Sequence, residues 1–223
     1  MSDYYSEKLS SQRLRLCYEL APPRVQRYLE AEVEFVLDRI KSTDAVLELG
    51  CGYGRVIRRI ATKAHTVVGI DTSRDSLKLA LKSIDCKNCH LLEMNAVALG
   101  FKDRQFDGVI CIQNGISAFK VARRTLVKEA VRVTRPGGTV LFSSYSPRFW
   151  KARLEWFQIQ ADHGLIGEID PKATKDGVIV CKDGFRATTI GPEDFHSLTS
   201  GLGVSARTTE VNGSCIFCEM TVM

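Results

Sequence analysis

The 223-residue sequence contains no apolar run approaching the roughly 20 residues that a membrane span requires. Its opening stretch, Met1 to Leu16, is polar and lacks the apolar core of a secretory leader, so a cytoplasmic location is expected. Charge of one sign is never gathered into a block: 31 basic and 26 acidic residues are mixed along the chain and leave a net charge of +5. The most basic cluster, Arg55, Arg58, Arg59 and Lys63, falls on one expected helix and reads as a solvated face. A basic stripe interleaved with aromatics is missing, which argues against a nucleic-acid partner. Repeats and low-complexity segments are absent too. What remains, 44% hydrophobic and 26% charged residues, is the composition of one ordinary globular domain with a proper core.

Eight cysteines are present, but not in a metal-binding pattern. Cys17, Cys51, Cys111 and Cys181 are isolated and read as small buried hydrophobes. Cys215 and Cys218 fall on an expected strand, where positions i and i+3 face opposite sides, so they cannot share a zinc ion. Cys86-Lys87-Asn88-Cys89-His90 has the letters of a haem attachment site. It sits in a short loop before a strand in a chain with no export signal, and no metal or haem is expected.

Two helices open the chain. The first covers Tyr4 to Leu20; the second buries a face made of Val25, Tyr28, Leu29, Val33, Val36, Leu37 and Ile40. Strands and helices then alternate: strands at Val46–Leu49, Thr66–Ile70, His90–Glu93, Gly108–Ile112 and Thr139–Ser143, with helices at 55–63, 74–84 and 121–134. Pro136-Gly137-Gly138 is expected to turn tightly into the last of these strands. Such short connections imply right-handed parallel crossovers and a doubly wound sheet. The tail differs. Val204–Val211, Asn212-Gly213 and Cys215–Val222 read as a hairpin, because Asn-Gly favours a type I′ turn. The fold class is therefore α/β, a Rossmann-like seven-stranded sheet, mostly parallel, with a C-terminal antiparallel hairpin and helices on both faces. The expected divisions are leading helices in 1–41, a ligand-binding core in 44–144, a substrate-cap insertion in 145–191 and a closing helix and hairpin in 192–223. The insertion should hold a helix at Phe149–Ala161 and a small hairpin, Val178–Cys181 with Phe185–Thr189.

The stretch that carries chemistry is Glu48-Leu49-Gly50-Cys51-Gly52-Tyr53-Gly54. A glycine turn after the first strand lets backbone N–H groups approach a ligand and aims a helix N-terminus at it. A dinucleotide site expects G-x-G-x-x-G, whereas position 55, where its third glycine belongs, is arginine. Glu48 beside the turn disfavours a pyrophosphate and suits an ammonium group. Asp71 ends the second strand, where a carboxylate can accept hydrogen bonds from a ribose; a helix cap is its alternative role. Asn95-Ala96 follows the third strand, and Gln113-Asn114 leaves the fourth at the carboxyl edge of the sheet.

With Phe106-Asp107 before the fourth strand and Arg135-Pro136-Gly137-Gly138 before the fifth, these motifs resemble, in order and spacing, the class I S-adenosylmethionine-dependent methyltransferases. Within them the likeness is to the small-molecule enzymes of the ubiquinone-biosynthesis type. It is close over residues 44 to 144 and loose over the last thirty. It departs at Asn95, where the family commonly has Asp. The resemblance implies S-adenosyl-L-methionine as cofactor, held by Glu48, Gly50, Cys51, Gly52, Gly54, Asp71, Thr72, Asn95, Ala96, Gln113, Asn114 and Arg24. It implies a methyl group passed to a small-molecule acceptor by in-line displacement. No catalytic dyad stands out; Tyr18 and Tyr145 are the candidates for acceptor-side chemistry, Arg24 ranks with Tyr18 as an acceptor-facing residue, and Gln113, Arg148, Trp150, His163 and Arg186 stand behind them. A [DNS]-P-P-[YFW] motif, expected of nucleic-acid amino-methylating relatives, is replaced by Gln113-Asn114-Gly115-Ile116. The sequence leaves open a methyltransferase-like binding or scaffold protein without catalysis, a protein methyltransferase, and either a monomer or a homodimer.

Overall fold

A computed structural model describes Tyr4 and residues 8–223. The start of the expected first helix therefore lies outside the described residues, apart from Tyr4. Helix α1 covers Ser11–Glu19 and α2 covers Pro23–Leu37, with proline at its first position, where the missing N–H costs nothing. Strands β1 (Ala45–Leu49), β2 (Thr66–Asp71), β3 (Cys89–Glu93), β4 (Phe106–Cys111) and β5 (Thr134–Tyr145) alternate with α3 (Ile57–Ile60), α4 (Arg74–Ser83), α5 (Gly115–Ala118) and α6 (Arg123–Val133). The insertion supplies α7 (Trp150–Asp162) and a two-stranded ribbon, β6 (Ile179–Val180) with β7 (Arg186–Ala187). Helix α8 (Pro192–Thr199) and the hairpin β8 (Val204–Val211) and β9 (Cys215–Val222) close the chain.

One seven-stranded sheet runs β3-β2-β1-β4-β5-β9-β8. The first five strands pair in parallel, and β9 inserts antiparallel between β5 and β8. The order reverses between β2-β1 and β4, and at such a switch point the loops leaving the strands part to form a crevice. Asn212 and Gly213 both adopt positive φ, 52° and 55°, as the type I′ turn demands.

Each strand divides its side chains between two cores. Val46, Ile110, Leu141, Tyr145 and Phe217 face α2, while Leu47, Val109, Val140, Phe142 and Met220 face the side of α6 and α8. Cys215 and Cys218 accordingly lie in different cores, as strand spacing requires. The Arg135–Gly138 stretch departs from expectation. It does not turn into β5 but lies inside it as an irregularity: Phe106 pairs with Thr134 and Gly108 with Thr139. The helix expected over 55–63 is reduced to Ile57–Ile60, and α5 was not expected. Cys86 and Cys89 form a disulfide across the loop into β3. Among the described residues no group of His, Cys, Asp and Glu could hold a metal, and no helix is long and apolar enough to cross a membrane.

Candidate active site

The loop after β1 folds back onto β2: the N–H groups of Gly50 and Cys51 both donate to the Ile70 carbonyl, at 2.8 and 2.9 Å. Gly50, Gly52 and Gly54 all take positive φ, which explains the glycine spacing. They do so for different neighbours. A Cβ at Gly50 would run into the Phe119 ring, and one at Gly54 would strike Ile84 behind the loop, so the third glycine serves packing.

Asp71 closes the turn from the other strand. Its Oδ2 accepts from the Gly52 N–H at 2.9 Å and its Oδ1 from the Ser73 N–H at 2.7 Å. The helix cap anticipated for it belongs instead to Ser73, whose Oγ accepts from the Ser76 N–H.

In front of this turn lies a cavity of about 430 Å³, within the range of small-molecule sites. One end is lined by Gly50, Gly52, Asp71, Thr72, Asn95 and Ala96, all named from the sequence. The remaining wall is formed by Cys17 and Tyr18 of α1, Trp156 and Phe157 of α7, and Tyr145, while Leu14 of α1 sits against Gly52. Gln113 lines the cavity as well, with φ +57° and a buried side-chain Nε2 that has no partner. Helix α1 roofs both ends. The Ser11 N–H donates to Ser76 Oγ on the glycine side, and Trp156 Nε1 donates to the Cys17 carbonyl on the aromatic side.

Glu48 stands behind the glycine turn, 5% exposed, with Oε2 buried and unpartnered. Burial pushes its carboxyl up to about 8; the Arg55 guanidinium opposes this and the Asp71 charge adds to it. Arg55, which stands where a dinucleotide motif would have its third glycine, places its guanidinium 5.0 Å over the Tyr18 ring.

Five of the expected ligands, Glu48, Cys51, Gly54, Arg24 and Asn114, do not line the cavity, and the last two are engaged elsewhere. Arg24 is turned away from the cavity: its Nη2 donates to the Asn212 carbonyl at 2.9 Å and its guanidinium covers Phe149. Asn114 is spent on structure, its Nδ2 donating to the Thr188 carbonyl and its Oδ1 accepting from Ser144 Oγ. Arg148, Trp150, His163 and Arg186 do not line the cavity either, and Arg148 is paired with Glu210.

One feature was invisible in the sequence. Glu32, on the buried face of α2, is fully enclosed; its Oε1 accepts from Ser143 Oγ at 2.5 Å and from the Gln113 N–H at 3.3 Å. A charge inside an otherwise apolar stripe was the signal that could have found it.

A methyltransferase-domain family model matches residues 46–138, the span that contains the glycine turn, Asp71, Asn95 and Gln113. Over that span the chain is similar to the class I S-adenosylmethionine-dependent methyltransferases. The chain is 29% identical over 122 residues to a fatty-acid O-methyltransferase of Mycolicibacterium smegmatis, covering 54% of this chain and 43% of that protein. It is 32% identical over 103 residues to a ubiquinone biosynthesis O-methyltransferase of Paracidovorax citrulli, covering 44% and 42%. The chain thus spans less than half the length of these curated relatives. A SAM-dependent methyltransferase of known structure from Methanosarcina mazei shares the fold, with TM-score 0.62, 19% identity and coverage of 85% of this chain and 97% of that one.

Proposed function

We propose that the protein transfers a methyl group from S-adenosylmethionine to a small molecule with a flat or apolar body. The observation that carries this reading is one continuous cavity. It joins the Gly50–Gly52, Asp71 and Asn95 end to an end walled by Tyr18, Tyr145, Trp156 and Phe157. The residues present fit the cofactor. Glu48, behind the glycine turn, holds a buried carboxylate with an unpartnered oxygen that complements an ammonium bound in front of it, and Asp71 presents a carboxylate at the crevice for the ribose. Asn95 is exposed to the cavity for the adenine, its Oδ1 already accepting from the Val97 N–H at 3.1 Å.

When bound, the cofactor supplies an electrophilic methyl on a sulfonium. The chain's part is to align the acceptor and exclude water, and such positioning is worth roughly 7–11 kcal/mol without a covalent catalyst. Tyr18, Trp156 and Phe157 give the cavity an aromatic wall suited to an apolar or planar acceptor, and Gln113 adds an amide donor to the lining. The test is calorimetry with S-adenosylhomocysteine. Asp71→Ala should weaken binding at least about tenfold, or about 1.4 kcal/mol. Unchanged affinity, or no binding by the unaltered protein, would overturn the reading.

A further inference from the structure

The geometry points to a proton path from the aromatic end of the cavity through Tyr145 and Tyr28 to Glu32, and hence to an acceptor that is methylated at a hydroxyl. This rests on the methyl-transfer reading above and adds to it the class of atom methylated.

The path is built from three elements. Tyr145, the last residue of β5, lines the cavity and is otherwise buried. Its ring lies 5.4 Å from that of Tyr28 on α2, which is fully enclosed. The Tyr28 hydroxyl has no closed hydrogen bond, yet it is near enough to both the Glu32 carboxylate and the Tyr145 hydroxyl to favour the ionised form of each. Glu32 follows Tyr28 by one helical turn, with Oε2 buried and unpartnered. Three neighbouring buried polar groups, two of them with an unpartnered oxygen, are costly unless something uses them.

The groups facing Glu32 set its behaviour. Burial pushes its carboxyl up to about 7, while Ser143 Oγ, the Tyr28 hydroxyl, the Arg55 guanidinium and the Gln113 N–H favour the ionised form. The thiols of Cys111 and Cys215 and the Tyr145 phenol also feel its charge, and all three are raised by burial. Glu32 is therefore the group on this path that can accept a proton near neutrality. Methylation of a hydroxyl displaces one proton. That proton passes to Tyr145 as the Tyr145 proton passes to Tyr28 and the Tyr28 proton to Glu32, which becomes a neutral carboxylic acid. Both tyrosines end as they began.

The probe is 4-fluorophenol, followed by fluorine NMR with the protein saturated with S-adenosylhomocysteine; 4-fluoroanisole, which has no proton to donate, is the control. Such a phenol keeps its proton below about pH 9. Its affinity should rise about tenfold between about pH 6 and 8 as Glu32 ionises and can accept at the end of the path. The anisole should show no rise. Glu32→Gln and Tyr28→Phe, each close in volume to the original, should flatten the phenol profile while S-adenosylhomocysteine affinity stays unchanged. A flat profile in the unaltered protein, an equal rise in either variant, or no phenol binding would overturn the path and leave the cofactor reading standing. Failure of S-adenosylhomocysteine to bind would overturn both.

Discussion

Replacing Glu48 by glutamine should remove a pH dependence from cofactor binding. Glu48 is buried on the face of β1 shared with α2, and its carboxyl is displaced from an ordinary 4.5 to about 8, chiefly by desolvation. At pH 7 it is therefore mostly neutral. An ammonium brought to its unpartnered oxygen favours the carboxylate, so binding expels a proton. Ionising a group one pH unit below its pKa costs about 1.4 kcal/mol. The dissociation constant for S-adenosylhomocysteine should accordingly fall about tenfold from pH 6 to 7 and level off above 8. Calorimetry at pH 6 in two buffers of different ionisation enthalpy should count close to one proton released per site. Glu48→Gln should release none and lose the slope; any residual slope then belongs to the ligand's own amine. Proton release undiminished in that variant would refute the assignment.

Three further outcomes follow from the geometry. Gly50→Ala combines a positive φ with a collision against Phe119, so cofactor affinity should fall by at least about tenfold in calorimetry while the far-ultraviolet circular dichroism is retained. Glu32 keeps its proton to about 7 in the folded chain against 4.5 in the unfolded one, so folding stability drains as pH rises through that interval and is not recovered above it. The advantage of Glu32→Gln over the unaltered protein in urea denaturation should thus grow by about 3 kcal/mol from pH 4.5 to 7. Ser73→Ala removes the cap of α4 and should cost about 1 kcal/mol in the same assay, with Asp71 left in place.

The sheet was legible because its signals are local. β-branched runs mark β2, glycine spacing marks the turn after β1, and Asn212-Gly213 fixes the hairpin through backbone sterics alone. Asp71 was legible for the same reason, since a carboxylate ending the second strand can only meet the crevice. Where two uses competed for one residue, local signals failed. Arg135–Gly138 has the composition of a turn, but the pairing of Thr134 and Thr139 with β4 on either side absorbs it as a bulge within β5. Asn114 and Gln113 are neighbours with the same left-handed backbone, and only tertiary contacts decide which faces the cavity: Ser144 and Thr188 claim the first. Arg24 was misplaced because the carbonyls it serves lie 188 and 189 residues away along the chain. Glu32 depends on Ser143, a partner 111 positions distant that no periodicity reveals.

The roof over the cavity is fastened on both sides by hydrogen bonds to small or backbone acceptors: the Ser11 N–H to Ser76 Oγ, Trp156 Nε1 to the Cys17 carbonyl, and Arg13 to the carbonyls of Gly164 and Leu165. Because a single helix is tied to both walls, any displacement of α1 uncovers the glycine side and the aromatic side of the chamber together.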